Sequence, residues 1–148
     1  MRHFHNHRLW RLVLLAMLVP LAFIGFWPSP VDQPLQGQLA RFLQFLHRNG
    51  IPAWFNYKVV EATANVALFI PLGFVGSHAF SESGWWRIGA FSLSISACME
   101  LGQLLFLHNR FASPIDLVTN ASGAVIGALL AAHLVRRLEA RRLSATGL

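Results

Sequence analysis

Residues 100–120 read ELGQLLFLHNRFASPIDLVTN, and the placement of this stretch decides the fold. It reads as the end of one apolar helix, a short turn and the start of another. Glu100, Gln103, Arg110, Asp116 and Asn120 interrupt it. If both arms are membrane helices, these five groups lie at the rim of a bilayer or inside it, where polar side chains are costly and normally face protein or water.

The rest of the chain requires the membrane reading. Of 148 residues, 55% are hydrophobic and 12% charged, about half the roughly 25% charge content of an ordinary soluble domain. Spans of about 20 apolar residues, enough to cross hydrocarbon about 30 Å thick, are expected at residues 9–27, 60–80, 87–108 and 115–135. The fold expected is an all-α bundle of four transmembrane helices in a single domain, 1–148. The first span follows basic residues as a signal peptide would, but FIGFWPSP offers no small-residue cleavage site. It is therefore expected to stay as an anchor. Cys98, the one cysteine, is expected to be a buried small hydrophobe.

Net charge is +6, yet no nucleic-acid-binding motif is present, and the basic residues sort by side. With four spans, Arg2, Arg8, Arg11, Arg87, Arg136, Arg137, Arg141 and Arg142 share one side. Arg41, Arg48, Lys58 and Arg110 share the other. The excess of positive charge puts both termini in the cytoplasm. Trp10, Trp27, Trp54, Trp85 and Trp86 fall at span ends, the depth that suits an apolar ring with a wet N–H. In the long outer loop, residues 35–48 place Leu35, Leu39, Phe42, Leu43 and Leu46 on one helical face. This amphipathic helix would lie on the membrane surface or pack over the mouth of the bundle; Asn49-Gly50 and Pro52 end it.

Depth and face then group the polar residues. Glu100 and Gln103 are helical neighbours, and Ser96 and Gly89 extend their stripe inward. Asp116, Asn120, Gly123 and Gly127 share one face of the fourth span, and the two glycines form a small-xxx-small pattern for close helix approach. Asn65 falls at a similar depth on the second span, with Glu61 above it. Further along, Pro71 removes a backbone donor and Gly73 permits close packing. One polar pocket between the second, third and fourth spans is expected, opening outward. The alternative is that Arg110, Glu100 and Asp116 lock the hairpin, with Gln103 and Asn120 as interhelical hydrogen bonds; the two can coexist.

Two motifs together resemble the VanZ-like family of small bacterial membrane proteins. The first is Asn65-x5-Pro71-x-Gly73, within NVALFIPLGF. The second is Glu100-x2-Gln103 followed by Arg110-x5-Asp116-x3-Asn120-x2-Gly123-x3-Gly127. The resemblance covers residues 60–135. The position three after the arginine is often acidic in the family and is Ser113 here, which weakens a metal or two-carboxylate reading. The resemblance implies a multi-pass protein of the bacterial cytoplasmic membrane. It also points to teicoplanin resistance, with which the family's founding member is associated, but names no activity.

Three functions remain open. A binding role would place a lipid-linked or amphiphilic envelope molecule, or a glycopeptide, against Glu100, Gln103, Arg110, Asp116, Asn120 and Asn65. Arg110 would meet a phosphate or carboxylate, and the 35–48 helix would cover the entrance. An enzyme would use Glu100 as acid or base, but no convincing nucleophile or Cys/His pair accompanies it. A structural or assembly role would direct Gly123 and Gly127 at a second subunit, forming a homo-oligomer. Membrane lipids are the expected surroundings. No cofactor or metal is implied, and the alternating His3, His5 and His7 read as a solvated tail.

Overall fold

The computed structural model describes residues 6–27, 33–80, 84–107 and 113–145. Four long helices account for most of them, with a shorter one between the first two. They are α1 (His7–Gly25), α2 (Gln36–Arg48), α3 (Tyr57–Ala79), α4 (Trp85–Phe106) and α5 (Pro114–Ala145). All but α2 are long and apolar enough to cross a membrane. Asparagines start two of them: Asn6 Oδ1 accepts from Leu9 N at 3.2 Å, and Asn56 Oδ1 from Lys58 N at 3.0 Å, satisfying N–H groups that a helix start leaves unbonded. Gly50 adopts φ +92°, the left-handed conformation that ends α2 without a side-chain clash.

Contact between α3 and α5 is the most extensive in the bundle, and glycines permit it. A Cβ on Gly73 would land on the carbonyl of Ala124, one on Gly123 on the carbonyl of Val66, and one on Gly127 on the carbonyl of Ile70. Gly123 and Gly127 thus serve α3 within the same chain. Pro71 lies inside α3 and is exposed. On the other side of α5, α4 approaches at Gly89, where a Cβ would come within 2.8 Å of Val125 Cγ2. Ile88, Ala124 and Ala128 form the core there. α1 packs on α3 through Leu14, Leu21, Phe69, Leu72, Val75 and Ala79.

At one end of the bundle, α1 is tied to the last turn of α3. The His7 ring donates to the carbonyl of His78 at 3.0 Å and Arg11 Nε to that of Ala79 at 3.3 Å. His78 is buried between the rings of Trp10 and Phe74, with centroids at 4.7 and 4.9 Å. Only 17% of the apolar stretch of α1 is buried in the bundle, so its outer face meets lipid. In hydrocarbon, burying such a face against another helix gains little. Close packing at small residues and interhelical hydrogen bonds must hold the helices together.

Three expectations are corrected. The fourth helix does not stop at residue 135: α5 has 32 residues and runs to Ala145, about 48 Å at 1.5 Å per residue. Residues 136–145 contain no glycine or proline and are mostly Arg, Leu and Ala, all strong helix formers, so nothing ends the helix at the membrane edge. Cys98 is exposed on α4, because an apolar thiol facing hydrocarbon gains nothing from burial in protein. His7, read as part of a solvated tail, is the first residue of α1; His3 and His5 lie outside the described residues.

Candidate functional site

At the end of the bundle opposite the His7–His78 contact, a cavity of about 100 Å³ lies among the four long helices. Asn65 reaches it from α3, Glu100 and Gln103 from α4, and Asp116 and Asn120 from α5. These are five of the six residues singled out as binding candidates, drawn together from three spans. The sixth, Arg110, lies outside the described residues, as does His108. Glu100 lies about 9 Å below the end of α4 and Asn120 about 9 Å below the start of α5, six residues at 1.5 Å each.

Each polar group has a definite neighbour. Asn65 Nδ2 donates to Asp116 Oδ1 at 2.9 Å, joining α3 to the first turn of α5. Glu100 Oε2 accepts from the backbone N–H of Ser113 at 2.8 Å, so a carboxylate of α4 caps the chain where α5 begins. Negative charge there also favours the dipole of α5, and Asp116 adds to it. The α4–α5 hairpin is therefore locked in part by a contact that does not involve Arg110. Asn120 is buried, and its Nδ2 donates to Ser96 Oγ at 2.8 Å. The Asn120 Oδ1 atom is buried and has no hydrogen-bond partner among the described residues. An orphaned buried acceptor costs about 1–3 kcal/mol and calls for an explanation.

Gln103 shows what the sequence did not. Its Nε2 donates to the carbonyl of Gly25 at 2.7 Å, one of the last carbonyls of α1, which have no partner within the helix. Leu21, Ile24 and Gly25 complete the cavity wall, so α1 belongs to the site along with the other three spans. α1 carries no polar side chain at this level and contributes a backbone oxygen, which side-chain patterning cannot signal. Replacing Gln103 with leucine should strand that carbonyl and cost about 1–3 kcal/mol, read as a lower melting temperature of the detergent-solubilised protein.

A second depression, about 400 Å³, lies outside the cavity between α3 and α5. Lys58, Glu61, Ser113 and Thr119 line it, and Asp116 is shared with the inner cavity. Lys58 and Thr119 were not anticipated; nothing in their local sequence sets them apart. α2 contributes no described residue to either space. Leu43 is 8% exposed, but Phe42 and Phe45 are 55% and 62% exposed. The expectation that this helix covers the entrance is not met. Its inner side faces the loop before α3, where the His47 ring donates to the carbonyl of Phe55 at 2.9 Å.

The family model described as VanZ/LLP1 matches residues 8–136. The chain belongs to this VanZ-like family. The match takes in α1 and α2 as well as the helices carrying the two motifs, and so includes every helix that lines the cavity. No curated protein and no solved structure matches the chain. A VanZ-like multi-pass membrane protein thus places polar residues from three spans and a backbone carbonyl from a fourth around one small cavity.

Proposed function

We propose that this VanZ-like protein binds the polar head of a lipid-linked or amphiphilic envelope molecule, with the cavity in the outer leaflet of the bacterial cytoplasmic membrane. The buried Asn120 Oδ1, without a hydrogen-bond partner among the described residues, carries this reading. A lock between helices needs paired groups, whereas an acceptor held dry without a donor suits a site that a ligand completes. The cavity, at about 100 Å³, is a quarter the size of the outer depression. It therefore takes the tip of a head group, and a larger molecule such as a glycopeptide would rest in the outer depression. Arg110 belongs to this reading through its place in the α4–α5 connection.

The orientation rests on charge. The end with the basic extension of α5 faces the cytoplasm, and the cavity end faces outward. Single cysteines introduced at Gln38 and at Ala140 in a Cys98→Ser background test this. A membrane-impermeant maleimide added to intact cells should label the first and spare the second; the reverse pattern would invert the topology.

A contribution to glycopeptide tolerance is tested separately. A sensitive host expressing the wild type should tolerate more teicoplanin than one expressing Glu100→Gln or Arg110→Ala at matched membrane abundance. Glutamine can still accept the Ser113 N–H, so Glu100→Gln removes the charge and keeps the cap. Equal tolerance in all strains would remove the glycopeptide from the proposal.

A further inference from the structure

An apolar groove of about 320 Å³ runs between α1 and α4. Leu18, Ala22 and Phe26 form one wall, and Phe91, Ile95 and Cys98 the other. α1 and α4 meet closely where Gln103 holds Gly25 and where a Cβ on Gly102 would come within 2.6 Å of the Phe26 ring. Deeper in the bundle they part. From Phe26 to Leu18 the groove extends about 12 Å, eight residues at 1.5 Å each. Leu21 and Met99 line both the groove and the polar cavity. Where the two spaces join, the Met99 methyl rests on Gly25, in the position a Cβ there would occupy.

Resting on the binding reading above, we infer that groove and cavity form one site for an amphiphile, with a hydrocarbon chain between α1 and α4 and a hydrogen-bond donor on its head at Asn120 Oδ1. Three observations support it. Both helices cross the hydrocarbon region, so an open cleft between them is filled by hydrocarbon in a bilayer. The cleft adjoins the polar cavity, with Leu21 and Met99 as their shared wall. The partition is a methionine, an unbranched side chain that shifts rotamer at low cost. The orphaned acceptor asks for a donor, and the cavity volume limits that donor to a small group such as a hydroxyl or an ammonium. The glycerol head of phosphatidylglycerol has this chemistry.

The test uses the full chain in phosphatidylcholine nanodiscs, whose head group has no hydrogen-bond donor, doped with a small fraction of phosphatidylglycerol carrying a mid-chain diazirine. Photolabelled peptides are mapped in the wild type, Ala22→Phe, Asn120→Leu and Leu104→Phe. Ala22 is an exposed groove residue, so phenylalanine fills the groove and leaves the polar cavity intact. Leu104 is 60% exposed and lies outside the groove, and its variant controls for bulk lipid. Labelling around Cys98 and Met99 should fall roughly tenfold, about 1.4 kcal/mol, in Ala22→Phe and in Asn120→Leu, and stay unchanged in Leu104→Phe. If Ala22→Phe labels like wild type, no chain occupies the groove and the inference fails, while the head site stands. A loss in Ala22→Phe but not in Asn120→Leu would overturn the link to the cavity and count against the binding reading. Cross-linking of two copies through Cys98 would assign the groove to a second subunit instead.

Discussion

Gly127→Val should leave little folded protein in the membrane. A Cβ at this position would fall on the carbonyl oxygen of Ile70 and come within 2.7 Å of the Phe74 nitrogen. Both are backbone atoms of a helix, so no rotamer change can relieve the overlap, and α5 would have to move off α3. Overpacking costs about 1–3 kcal/mol where side chains can adjust and more where they cannot. A loss of 3 kcal/mol or more is expected. In hydrocarbon no hydrophobic term between the helices offsets it. Separation of α3 from α5 would also part Asn65 from Asp116 and open the cavity. Thermal unfolding of the purified variant in detergent, or its abundance in the membrane if none can be purified, would show this. A melting temperature within a few degrees of wild type would mean that α3 and α5 do not pack this closely.

Asn120→Leu separates folding from binding. The substitution keeps the branched side-chain shape with the same number of heavy atoms, though leucine is bulkier, and removes an acceptor whose burial costs about 1–3 kcal/mol. It also removes the donor to the buried Ser96 Oγ, a loss of about 1–3 kcal/mol. The two effects oppose each other, so stability should stay within about 1 kcal/mol of wild type. Ligand binding should nevertheless fall at least tenfold, about 1.4 kcal/mol. A residue whose removal spares the fold and abolishes binding is kept for function. Had Asn120 served only as an interhelical tie, stability would fall and binding would be unaffected.

The spans were legible because a charge inside an apolar run is rare and an uncharged run of about 20 residues has few other uses. The same rarity made Glu100, Gln103, Asp116 and Asn120 stand out, and helical periodicity put them on shared faces. Asn65 joined them through depth alone. Pairing was not legible: periodicity says which residues share a face but not that Asp116 takes the Asn65 amide or that Glu100 caps Ser113. The part played by α1 was hidden because it rests on the Gly25 carbonyl and on the fit of Phe26 over Gly102. Neither produces a pattern of residue types. Cys98 was misplaced by a rule for soluble cores, which assumes that the outside is water. The extension of α5 past residue 135 was missed because a rise in charge marks the edge of a membrane, not the end of a helix.

The claim that the polar cavity is a ligand site is tested most directly by native mass spectrometry of the protein released gently from bacterial membranes, wild type beside Asn120→Leu. The wild type should carry a bound amphiphile of defined mass, and the equally stable variant should have lost it. The same adduct on both proteins, or none on either, would contradict the account and leave the five polar residues as ties between helices.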